Sequence, residues 1–108
     1  MTAKDLDAVR DDIANVERII REAGKNGISQ QDLYRKSALT AHEFLAVMKG
    51  FVLRTGNVLE IALKSSDSAQ QPDFAHYYWN ANLTEEDYQK LEAWLAQNHL
   101  SKGLPKLE

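Results

Sequence analysis

The chain has 108 residues, 44% of them hydrophobic and 27% charged, with no cysteine and a formal net charge of −3. That length suits one globular domain around one core rather than two separately folded units. The lack of cysteine excludes disulfide frameworks, cysteine-based zinc sites and thiol nucleophiles, and suits a reducing compartment. The opening residues Met1 to Asp5 lack the apolar core of a signal peptide, and no run is long enough for a membrane span, so a cytoplasmic protein is expected. Taken alone, the acidic excess argues against a phosphate-backbone partner.

Over 4–23 the apolar residues Leu6, Val9, Ile13, Val16, Ile20 and Ala23 recur in steps of three and four, which predicts one stripe of a long amphipathic helix. Thr2 and Asp5 resemble a capping box at its start, and Gly24 supplies the stop. The stripe is close to a heptad seam with Ile19 beside it. It therefore fits either a helix covering its own core or one whose first half packs on a second subunit. A turn cluster at Gly24, Lys25, Asn26 and Gly27 leads to Ile28 and to Ser29, which caps a short helix over 30–37 with Asp32 at the reciprocal position. Leu33 and Tyr34 are its expected apolar contacts. After Ala38 and Leu39, Thr40 and Glu43 repeat the capping signature. A longer helix is expected over 41–54, its core face made by Phe44, Val47, Met48 and Phe51.

Alternation predicts a strand over 58–64, with Leu59, Ile61 and Leu63 on one side and Glu60 and Lys64 on the other. A polar loop at 65–73 precedes an aromatic strand over 74–80, returning as a hairpin. Thr84 and Asp87 cap a last helix over 84–99, with Tyr88, Leu91, Trp94 and Leu95 as its stripe, and a flexible tail is expected over 101–108. Residues 1–100 thus form a single domain, mainly α with a small β-hairpin.

The run from Gly27 to Thr40, a capped helix, a short turn and a second capped helix, resembles the helix-turn-helix core of the winged-helix family. Residues 28–54 would be that motif, Ile28 a one-residue strand and 58–80 the wing. The C-terminal helix resembles an addition common among small dimeric bacterial winged-helix regulators. The resemblance covers residues 5 to 80 and rests on element order and capping. It implies double-stranded DNA as partner, with the second motif helix in the major groove, and a homodimeric transcription regulator. Carried over, Ser29, Gln30 and Gln31 become phosphate contacts at a helix N-terminus. Thr40, Ala41 and His42 open the reading helix, Lys49 and Arg54 lie further along it, and Arg35, Lys36 and Lys64 complete the set. His42 or Lys49 would meet guanine and Ala46 a thymine methyl. The outward face is expected to comprise His42, Glu43, Ala46, Lys49, Gly50 and Leu53. Leu6, Val9, Ile13, Tyr88, Leu91, Trp94 and Leu95 are the expected dimer interface.

The loop carries Asp67 and Asp73 where a DNA-contacting wing carries basic residues, so protein contact and a free loop stay open beside DNA contact. The aromatics Tyr77, Tyr78 and Trp79 with Phe74 and His76 fit core packing or subunit contact better than base stacking. A second function follows, a protein-interaction module using the aromatic hairpin or the Leu53 side. No enzyme is expected: His42, His76 and His99 are isolated, no phosphate loop or nucleophile elbow is visible, and the acidic runs at Asp11 and Glu85 suit a solvated face and a helix start. No cofactor or metal is implied, and a ligand-sensing regulator finds no credible site.

Divided by segment, the charge changes meaning. Residues 24–64 carry Lys25, Arg35, Lys36, Lys49, Arg54 and Lys64 against Asp32, Glu43 and Glu60, a balance of +3, whereas both flanking segments are negative. The one positive segment is the one resembling the DNA-binding motif.

Overall fold

The computed structural model describes residues 6–63, 74–97 and 107, with Leu6, Leu63 and Phe74 as backbone. Helix α1 (Leu6–Glu22) is followed by a 3-10 turn (Gly24–Asn26), strand β1 (Ile28–Ser29), helices α2 (Gln30–Ser37) and α3 (Ala41–Gly50), and a second 3-10 turn (Val52–Arg54). Strands β2 (Val58–Leu63) and β3 (Phe74–Trp79), a third 3-10 turn (Asn80–Asn82) and helix α4 (Glu85–Gln97) complete the chain. The protein is mostly helical with a small three-stranded antiparallel sheet in the order β1-β3-β2. Among the described residues no helix is long and apolar enough to cross a membrane.

The sheet is the middle layer, and its register decides which side chain goes where. Residues paired directly across an antiparallel ladder share a face. Ile28 pairs with Tyr77, Val58 with Trp79, Glu60 with Tyr77 and Ala62 with Ala75, which defines the front. Leu59 pairs with Tyr78 and Ile61 with His76, which defines the back. The front core joins Ile28, Val58, Ala75 and Tyr77 to Val16, Ile19 and Ile20 of α1, Leu33 of α2, and Phe44, Val47 and Met48 of α3, with Val52. The back core is smaller, with Ile61, Tyr78, Leu91 and Leu107 buried and Leu59, Leu83 and Leu95 packed against them.

Gly27 is where the two layers are stitched. Its φ of +64° is a conformation that side-chain-bearing residues rarely adopt, and a Cβ there would run into the Tyr77 carbonyl and the Tyr78 ring. Beside it, His76 Nε2 lies 2.7 Å from the Asn26 carbonyl, which accepts its proton. Burial lowers the His76 pKa below its usual value, opposed by the Asn26 bond and by Asp32.

Four expectations are corrected here. The helix expected to run to Arg54 ends at Gly50, because Phe51 takes φ −134° and ψ −63° and breaks the helical phase. Phe51 consequently turns out, 47% exposed, and Val52 takes its core place at 0%. Leu91, expected at a dimer interface, is 2% exposed in the protein's own back core, because α4 covers the sheet. The expected flexible tail is not free at Leu107, which is buried and donates its N–H to Asn26 Oδ1 at 3.0 Å. The cap at Thr2 and Asp5, Lys64, the loop at 65–73 and the rest of the tail lie outside the described residues.

Candidate nucleic-acid interface

The α2–α3 unit is set by local hydrogen bonds that the sequence specifies. Ser29 Oγ accepts from the Asp32 N–H at 3.2 Å, capping α2. At the other end Ala38 adopts the left-handed conformation, φ +59°, and turns the chain. Buried Ser37 fixes that turn: its hydroxyl donates to the Tyr34 carbonyl at 2.7 Å and accepts from the Leu39 N–H at 3.3 Å. Thr40 and Glu43 then form a reciprocal box, Glu43 N–H to Thr40 Oγ1 at 3.2 Å and Thr40 N–H to Glu43 Oε1 at 3.0 Å.

These bonds sort the expected site residues. Glu43 is the cap and half-buried, and Leu53 packs against the front core, so neither belongs to the open face of α3. That face presents His42, Leu45, Ala46 and Lys49, spaced i, i+3, i+4 and i+7 and all exposed, with Ala41 and Gly50 at its margins. Ser29, Gln30, Gln31 and Ala41 are brought together around a pocket of about 390 Å³ completed by Tyr34, Phe44, Leu45 and Ala75. The rings of Tyr34 and Phe44 meet edge-on at 5.3 Å. Lys36 instead lies on the opposite side of α2, in a cleft with Arg18, Ile19, Glu22 and Ala23. Arg35 is exposed and 3.7 Å from Asp32, a solvent-screened pair. Arg54 is exposed beyond the end of α3.

Leu45, 45% exposed, was not among the expected site residues, and Tyr34, expected as an apolar contact of its helix, touches Phe44 but is 39% exposed. The available signal was angular: Leu45 sits one residue from Phe44, about 100° around the helix from the Phe44–Met48 arc, while Tyr34 follows buried Leu33 at the same offset.

The strand aromatics fill cores instead of forming a platform. Tyr77 and Tyr78 are buried, and their hydroxyl pKa values are raised, Tyr78 to about 12 by burial, Tyr77 by burial and by Glu60 beside it. Trp79 is half-buried with Arg21 5.7 Å above its ring. The described tyrosines of the hairpin thus pack into the protein's own cores, as their alternation along the strand suggested. Of the expected dimer contacts, Ile13 and Leu95 pack partly on their own cores, Tyr88 donates its hydroxyl to Asn80 Oδ1 at 2.6 Å, and Val9 and Trp94 are half-buried. The Leu6 side chain lies outside the described residues.

Among the described residues no group of three or more His, Asp or Glu side chains is placed to hold a metal. No protein-family model, curated protein or solved structure matches the chain.

Proposed function

We propose that the chain is a winged-helix DNA-binding module that places α3 in the major groove of duplex DNA and works as a homodimeric transcription regulator. One observation carries the reading: two capped helices, joined by the Ser37-braced turn, present an open α3 stripe of His42, Leu45, Ala46 and Lys49. They stand beside a three-stranded antiparallel sheet ordered β1-β3-β2, and in this reading β2 and β3 supply the wing. The local charge of +3 over 24–64 supports a phosphate-facing surface in a chain that is acidic overall. In this reading Lys49 and Arg54 contact phosphate or guanine, Ala46 and Leu45 meet thymine methyls, and Gln30 and Gln31 at the α2 N-terminus fix the register. In this reading the α1 stripe through Val9 and Ile13 and the α4 residues Tyr88 and Leu95 carry the subunit contact.

Fluorescence polarisation with a labelled duplex pool at low salt tests this. Wild-type protein is expected to bind with a steep salt dependence, and Lys49→Glu to weaken binding about tenfold or more, since a lost phosphate contact becomes a repulsive one.

A second reading is favoured by one observation, the exposed Leu45 and Tyr34 around an uncharged pocket. Such a rim suits an apolar side chain of a protein partner. Duplex binding that is absent at low salt selects this reading over the first.

A further inference from the structure

Among the described residues, one long edge of the sheet is unpaired. The order β1-β3-β2 puts β2 at the margin, and among the described residues no strand pairs with its outer side. Along an edge strand every second residue turns its N–H and C=O outward, a template for another extended chain. Beside this edge runs a groove of about 300 Å³, whose floor and walls are Leu59, Glu60, Ile61 and Ala62 of β2 and Tyr88, Leu91, Glu92 and Leu95 of α4. The four α4 residues are spaced i, i+3, i+4 and i+7, so a single helix face looks onto a single strand edge. Its chemistry is one-sided: apolar residues line it, both of its charged side chains are acidic, and neither Glu60 nor Glu92 is in an ion pair among the described residues.

We propose that this groove docks an extended peptide carrying an apolar residue between two basic ones, which adds to β2 as a fourth strand. Alternation supplies the match. Leu59 and Ile61 belong to the back face, toward α4, while Glu60 and Ala62 belong to the front. An added strand points every second side chain the same way. Its apolar residue therefore enters between Leu59, Leu91 and Leu95, and its basic neighbours turn toward Glu60. Exposed Ala62, on the same front face, leaves room for the second basic side chain beside Glu60.

Charge also selects among occupants. Two copies pairing through β2 would bring the Glu60 and Glu92 of both into one seam, and like charges across adjacent strands repel. Leu107, whose N–H donates to the Asn26 side chain next to β1, fills the back core and is not among the residues that line this groove. This inference does not rest on the nucleic-acid reading, whose named DNA contacts Gln30, Gln31, Leu45, Ala46, Lys49 and Arg54 all lie outside β2 and α4.

The experiment is a titration of the isotopically labelled full chain, followed by amide NMR, with acetyl-Thr-Val-Lys-Leu-Lys-Val-Thr-amide. Expected are shifts concentrated in Val58–Leu63 and along the Tyr88, Leu91, Glu92 and Leu95 face. The same peptide with Glu in place of both Lys should bind about tenfold more weakly, the scale of two solvent-screened charge pairs. The variant Glu60→Lys, at an exposed front-face position, should narrow or invert that preference, and Glu92→Lys, on the α4 side of the groove, should leave it in place. Three results overturn the proposal: no shifts in these segments at saturating peptide, equal binding of the acidic peptide, or β2 shifts that depend on protein concentration without peptide. The last would mean pairing between copies of the chain.

Discussion

The two sides of the sheet are built differently. The front core draws on three helices and all three strands and buries Val16, Ile20, Leu33, Met48 and Val52 almost completely. Among the described residues the back core has one helix and four buried side chains, and one of these, Tyr78, has its hydroxyl buried with no hydrogen-bond partner there. Its helix is anchored at its start, where Thr84 N–H donates to Asp87 Oδ2 at 2.8 Å and Asp87 N–H to Thr84 Oγ1 at 3.2 Å. The Thr84 bonds and nearby Lys25, 3.9 Å away, hold the Asp87 carboxyl below its usual pKa. The contrast teaches a division of labour: the front layer fixes the fold and the geometry of α2 and α3, while the back layer covers the sheet with less packing.

The largest expected effect breaks or keeps that comparison directly. Leu33→Ala should cost about 3–4 kcal/mol and Leu91→Ala about 2 kcal/mol, because a thin layer relaxes into the space more readily. Paired urea denaturation curves measure both, and equal costs would erase the distinction. Gly27→Ala should cost about 3 kcal/mol, combining backbone strain at positive φ with overlap on the Tyr77 carbonyl and Tyr78 ring. A midpoint unchanged from wild type would show that the layers are not stitched there.

A smaller effect is pH-dependent. The folded protein holds His76 below its usual pKa of 6.5, chiefly by burial, so the unfolded chain binds the proton more readily. Stability should therefore be highest above pH 6.5 and decline as the pH falls below it. In His76→Gln that part of the decline should vanish, which urea midpoints collected across the range from neutral to mildly acidic will reveal. The smallest effect is a gain: Ala38→Gly relieves a left-handed alanine and should add about 0.5 kcal/mol, read as a small rise in Tm.

Much of the front layer was legible in the chain. Ser29 and Thr40 announce helix starts because their side-chain oxygens satisfy backbone N–H groups that any helix leaves open, and both caps are present. The short strand at Ile28 and the two alternating runs form the sheet as expected. Phe51 and Val52 were not separable, since both are apolar and adjacent, and the choice rests on where α3 stops. A ten-residue helix ending at Gly50 puts Val52 inward, and continuing it to Arg54 would have put Phe51 there. The fate of Leu91 was hidden for a related reason. An apolar stripe states that a helix face is covered, and whether a sheet or a second subunit covers it is a tertiary fact. In the candidate site, Lys49, His42 and Ala46 were readable from helical spacing. The separation of Lys36 from them depends on the rotation of α2 against α1, which local pattern does not encode.

The most direct test of the proposed function is the salt dependence of duplex binding by wild-type protein and by Lys49→Glu/Arg54→Glu. The account predicts that the logarithm of affinity falls linearly with the logarithm of salt concentration. It also predicts that the double variant binds at least about tenfold more weakly, with a slope shallower by about two, one for each lost phosphate contact. Binding that is absent at low salt, or that keeps its affinity and slope in the double variant, would contradict it.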